Sequence, residues 1–156
     1  MELNTFIALV AAVGAGTIIA ALVGHLTTIS NYRQAWINAL RDDLAEFFKA
    51  LETMNYVIFN YLKDSEKYDE PRREARVALL FVYERIRLRL NRVEEMHAHL
   101  ESKLREFLDK PIGEMMADRN KINEAVDLAR RVLKSEWEVT KYPWRGYWKR
   151  RSRTKN

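Results

Sequence analysis

The chain has no cysteine, which excludes disulfides, a thiol nucleophile and any cysteine-ligated metal, and fits a reducing compartment. Histidine is nearly as scarce. His25, His97 and His99 are too few and too scattered for a metal cluster, so neither metal nor cofactor is expected. There is no P-loop, no G-x-G-x-x-G ahead of a helix, no H-E-x-x-H and no G-x-S-x-G, which removes the commonest nucleotide, zinc-protease and serine-hydrolase signatures. Only three prolines and five glycines occur in 156 residues, so breaks in regular structure must be few. No strand-like alternation and no internal repeat is present.

One absence is local. From Leu3 to Tyr32 the chain has no Asp, Glu, Lys or Arg. Phe6 to Leu26 supplies 21 mostly apolar residues, where a hydrocarbon core of about 30 Å needs roughly 20 in a helix. This stretch predicts a membrane span. A cleaved secretory signal would carry Lys or Arg ahead of its apolar core, and the only early charge is Glu2. Arg33 and Arg41 follow the span, so the Lys/Arg bias puts the N-terminus outside and the rest in the cytoplasm. Within the span Ala8, Ala12, Gly16, Ala20 and Gly24 recur every four residues, one ridge of small side chains. Helices associate in lipid by close packing, so the ridge points to a homo-oligomer held through its spans. A lone alanine-rich anchor is the plainer alternative.

What is abundant is amphipathic helix. Trp36, Leu40, Leu44, Phe47, Leu51, Met54, Ile58 and Tyr61 follow spacings of four and three, with Ser30 as a plausible N-cap, although nothing between Thr27 and Arg33 forces a break from the span. The polar run Lys63 to Pro71 reads as a turn. Asp69 or Glu70 caps the next helix, whose seam of Leu79, Tyr83, Ile86, Leu90, Val93, His97, Leu100, Leu104 and Phe107 is regular enough for a coiled coil. Lys110 to Gly113 breaks it. A third helix carries Ile122, Ala125, Ala129, Val132, Leu133 and Trp137 inward and ends near Tyr142-Pro143. The predicted fold is all-α: a transmembrane helix over 1–30, a cytoplasmic antiparallel bundle of three helices over 31–142, and a tail over 143–156.

The tail concentrates the charge. Residues 141–156 hold seven Lys and Arg and no acid, so with the whole chain at +5 residues 1–140 net −2. Trp144, Arg145, Tyr147, Trp148, Lys149, Arg150, Arg151 and Arg153 interleave rings with cations, which suits phosphates and unpaired bases, or an anionic lipid surface, or a solubilising terminus whose tryptophans fold back on the bundle. In an up-and-down bundle residue 141 lies at the membrane-distal end, about 40 Å out by the helical rise, which favours RNA or an RNA-bearing partner over lipid.

Asn91-Arg92-Val93-Glu94-Glu95-Met96-His97 places an Arg and a His with four residues between them. This resembles the R-x4-H motif of the HEPN superfamily, helical bundles whose ribonuclease members pair two such motifs across a dimer. The resemblance implies that His97 acts as general acid/base on the ribose 2′-hydroxyl and Arg92 holds the scissile phosphate, without metal; the chemistry is sound, since imidazole titrates near neutrality and guanidinium grips phosphate bidentately. Val93 departs from the family pattern, where a polar residue is common. A histidine on a core seam is also simply a packed, hydrogen-bonded one. Span, short helical domain and R-x4-H together resemble the small membrane HEPN-like accessory proteins of type VI-B CRISPR systems, which assist an RNA-guided effector. That resemblance implies a bacterial inner-membrane oligomer forming a pore in antiviral defence. A membrane-tethered ribonuclease and a passive scaffold for a cytoplasmic partner are the competing expectations.

Overall fold

The computed structural model describes residues 3–61, 69–109 and 118–141; the side chains of 3–13, 15, 19, 60, 61 and 69 are outside that description. Four helices account for it: α1 (Leu3–Tyr61), α2 (Asp69–Arg89), α3 (Glu95–Leu108) and α4 (Arg119–Lys141). Among the described residues there is no strand. Of the expected turn over Lys63 to Pro71, residues 63–68 lie outside the described residues and Asp69 to Pro71 open α2; the break at Lys110 to Gly113 and the tail from Tyr142 lie outside the described residues.

Contacts divide the chain into two units, residues Trp36–Trp137 and residues 1–35 with 138–156. In the first, the stripe of α1 is buried as its spacing requires: Leu40, Leu44, Phe47, Leu51, Met54 and Ile58 join Leu79, Val82, Ile86, Leu100, Leu104, Phe107, Ile122, Ala125 and Val132 in one core drawn from all four helices. At about 25 cal/mol per Å² of apolar surface removed from water, such a core is the main source of stability. The helices run up and down, so that α3 lies parallel to α1, with Phe47 against Phe107 and Trp36 nearer the start of both. Trp36 of α1 lies against His97 at the start of α3. Arg119 at the start of α4 pairs with Glu52, farther along α1, at 2.6 Å.

Two helix boundaries and two inward assignments differ from the sequence expectation. The long second helix is two helices, because α2 ends at Arg89 and α3 begins at Glu95. The break uses neither proline nor glycine. Asn91 makes it: its side-chain carbonyl accepts from the Val93 N–H at 3.2 Å, its main-chain carbonyl accepts from the Glu94 N–H at 3.0 Å, and its amide donates to Glu94. Asparagine competes in this way with helical bonding through its short polar side chain. Leu90 and Leu100 stay in the core on either side, while Val93 swings out to 93% exposure. On α4 the step of three and four from Ile122, Ala125, Ala129 and Val132 continues to Glu136, which is buried, and Trp137 is left 45% exposed. The N-cap expected at Ser30 is not used, since α1 passes through it.

A second feature that periodicity did not announce is the buried Asp43. Arg85 Nη2 and Arg89 Nε each donate to its carboxylate at 2.6 Å, and Arg85 also reaches Glu46 while lying over the Phe81 ring at 5.7 Å. A buried carboxylate needs such partners, because alone it would carry an uncompensated desolvation cost.

In the other unit, the described side chains of α1 from Gly14 to Ile29 are exposed, including Ile18, Leu22, Val23, Leu26 and Ile29. Among the described residues no helix is long and apolar enough to cross a membrane. The apolar run of residues 6–13 has its side chains outside the description, and what remains ahead of Arg33 is short and rich in Gly and Thr. The expected span is therefore not shown by the structure.

Replacing Leu100 by Ala in the common core is expected to cost about 3–5 kcal/mol in denaturant unfolding, as for other buried large-to-small changes. Val93→Ser should stay within about 0.5 kcal/mol of wild type. Equal losses at both positions would restore a seam that runs unbroken through Val93.

Candidate functional site

The turn that separates α2 from α3 also decides the fate of the R-x4-H pair. Arg92 sits in the turn and His97 in the first turns of α3, and each is engaged by different partners. Arg92 makes a forked bond to Glu101, one turn beyond His97 on α3, with Nε at 3.1 and 2.9 Å from its two oxygens and Nη2 on the first of them. Arg87 Nε comes within 3.6 Å of the same carboxylate. The bonds from Arg92, reinforced by the charges of Arg92, Arg87 and Arg105, hold the Glu101 carboxyl below its ordinary pKa of 4.5 against the opposing effect of burial. The same bonds push the Arg92 guanidinium further up.

His97 is 3% exposed. Its ring stacks on Trp36, centroids 6.0 Å apart and planes 23° from parallel. Its Nδ1 accepts the backbone N–H of Asn91 at 3.1 Å, the residue that breaks the helix. An acceptor at Nδ1 assigns the ring proton to Nε2, which faces Glu136 at 3.6 Å, close enough for charge attraction though too long for a direct hydrogen bond. Within one chain, then, the imidazole has one nitrogen committed to the backbone and the other turned toward a buried carboxylate. Neither is presented to a ribose hydroxyl, and the phosphate-gripping fork of Arg92 is filled by Glu101.

Sequence reasoning did not foresee that Glu94, His97 and Glu136 would gather, with one potential ligand atom from each within 4.8 Å of the others. The arrangement resembles a metal ligand set in composition but not in protonation. Ligation by Nε2 needs a free lone pair there, whereas the bond from Asn91 to Nδ1 leaves that nitrogen carrying the proton. The cluster is a polar corner where α3 meets α4. The signal for Glu136 was present in the sequence, since the α4 seam taken strictly ends on it, and an acid on a core seam requires a partner on the facing helix.

Of the small-residue ridge, Gly16, Ala20 and Gly24 are exposed on α1, and a methyl group built at Gly14, Gly16 or Gly24 would meet no atom within 4 Å. Ala8 and Ala12 lie in α1 with side chains outside the description. The tail residues Trp144, Arg145, Tyr147, Trp148, Lys149, Arg150, Arg151 and Arg153 lie outside the described residues.

Glu101 provides a pH signature. A carboxylate held below its ordinary pKa contributes stability that is complete above 4.5 and is lost as pH falls through that value toward the lowered one. Glu101→Gln should therefore lower the melting temperature at pH 7, and the gap to wild type should close below pH 4.5 in melts followed by circular dichroism. A gap unchanged down to pH 3 would remove the charge-based role.

No protein-family model matches the chain, and comparisons with curated proteins and with solved structures find no match either.

Proposed function

We propose that the protein is a non-enzymatic membrane-anchored oligomer, in which the apolar segment of α1 packs against the same segment of other copies and permeabilises the bilayer, while the Trp36–Trp137 bundle assembles and senses. The observation that carries this reading is the surface of α1 ahead of Tyr32. Its described apolar side chains are exposed, its glycines meet nothing, and three of its hydroxyls are bonded within the helix: the Thr17 hydroxyl donates to the Gly14 carbonyl at 2.9 Å, Thr27 to Val23 at 2.8 Å and Thr28 to Gly24 at 2.9 Å. A helix in hydrocarbon needs its hydroxyls bonded to its own carbonyls, and one in water does not. The charge-free run from Leu3 to Tyr32 and the ridge of small residues supply length and a packing face.

The resemblance to HEPN-like accessory proteins of RNA-guided antiviral defence fits this reading better than the ribonuclease alternative, because burial of His97 and the Glu101 bond of Arg92 favour a structural motif. A bacterial inner-membrane location, with the bundle in the cytoplasm and RNA or an effector complex at the basic tail, belongs to the same proposal.

Purified protein should run as an oligomer in mild detergent and release dye from vesicles of anionic phospholipid. Gly16→Leu should abolish both while leaving membrane insertion intact, since a bulky side chain blocks close approach of helices. A monomer, or dye release that survives Gly16→Leu, would defeat the proposal. Metal-independent cleavage of single-stranded RNA that is lost in His97→Ala would establish the ribonuclease instead.

A further inference from the structure

Between the body of α2 and the C-terminal end of α3 lies a cleft of about 400 Å³, within the range of small-molecule sites. Three guanidinium groups line it, Arg76 and Arg87 from α2 and Arg105 from α3, and the carboxylates Glu84 and Asp109 share the wall with Tyr83, Leu80 and Leu108. Two of the cations have local partners. Arg87 bonds to Glu84 at 2.9 and 3.2 Å, and Arg105 lies 3.3 Å from Asp109. Both are surface pairs within a single turn of helix, of the kind that contributes little and rearranges readily, and Arg87 Nε in addition lies 3.6 Å from the buried Glu101 carboxylate. Arg76 is half-buried and makes no ion pair or hydrogen bond among the described residues, so the cleft keeps one unbalanced positive charge. A neighbouring recess lined by Arg92, Ser102 and Glu101 shares Arg105 and extends the basic surface.

We propose that this cleft binds a small phosphorylated ligand of nucleotide size, with Arg76, Arg87 and Arg105 on its phosphates and Leu80 and Leu108 against its apolar part. The chemistry of the lining selects that class. Guanidinium forks from two helices match the several oxygens of a phosphate group, whereas a single carboxylate would satisfy only one of them. The Tyr83 hydroxyl adds a neutral donor, because burial and the nearby Glu101 push its pKa up from 10. Entry of a phosphate replaces the surface pairs to Glu84 and Asp109 with stronger, more enclosed ones and gives Arg76 a partner. The site is independent of the membrane reading, since it lies wholly within the Trp36–Trp137 unit.

The test is isothermal titration of the full-length protein in detergent with ATP and with inorganic pyrophosphate, both free of metal. Both should bind saturably, and adenosine should not. Arg76→Ala and Arg105→Ala should each weaken ATP by roughly tenfold or more, the loss expected for one charge-assisted contact. The double change Arg150→Ser with Arg151→Ser, which reduces the charge of the tail, should leave the affinity within about twofold. If Arg76→Ala lowers helical content, Leu80→Trp takes its place, since that side chain is 46% exposed and the indole would fill the cleft without emptying the core; ATP binding must again be lost. Absence of saturable ATP binding at millimolar concentration, or ATP affinity unchanged by the cleft variants and lost with the tail variant, overturns the proposal. Oligomer formation and dye release are measured separately, so their failure leaves this result standing.

Discussion

The bonds made by Asn91 are the constraint on which most of the bundle's particular features depend. Its side chain and main chain together end α2 and start the turn, and its own N–H donates to His97 Nδ1. That last bond reaches across the break and fixes where α3 begins relative to the residue that stopped α2. From it follow the ring proton on Nε2, the approach of that nitrogen to Glu136, and the stacking of the ring on Trp36. The turn also carries Val93 away from the core and sets Arg92 on the outer side, where it meets Glu101. A single polar residue thereby converts what periodicity describes as one long seam into two helices with a polar corner between them.

The buried acids show a common solution in two places. Asp43 is held by Arg85 and Arg89, and Glu101 by Arg92 with Arg87. In both, a carboxylate on a helix face that packs inward draws guanidinium groups from the α2–α3 region. Such pairs contribute less to net stability than the apolar core does, but leaving either carboxylate without its partners would be costly, so they restrict how the helices can be arranged. Arg76 and Arg105, which take no part in this pairing, join Arg87 in making the α2–α3 cleft basic.

The seams of α1 and α4 were legible because seven-residue spacing of apolar residues leaves few other arrangements: Leu40 to Ile58 and Ile122 to Val132 are buried where their periodicity places them. The division between α2 and α3 was not legible, since the apolar pattern continues through Val93 and a helix stop made by an asparagine carries no proline or glycine to mark it. The R-x4-H pair was legible as a spacing and misleading as a site. Spacing along a chain says which residues are near in sequence, whereas the partners Glu101 and Glu136 come from other positions on α3 and from another helix.

By itself the sequence determined that the protein is all-helical, which faces of α1 and α4 turn inward, and that an uncharged apolar stretch precedes the bundle, because these follow from composition and period alone. Only the tertiary structure decided where the second seam breaks, which carboxylates are buried, which nitrogen of His97 carries the proton, and that three arginines converge on one cleft. Each of these depends on which groups meet across helices separated by tens of residues. A polar side chain buried from water takes whatever partner that meeting supplies, and local pattern does not specify it.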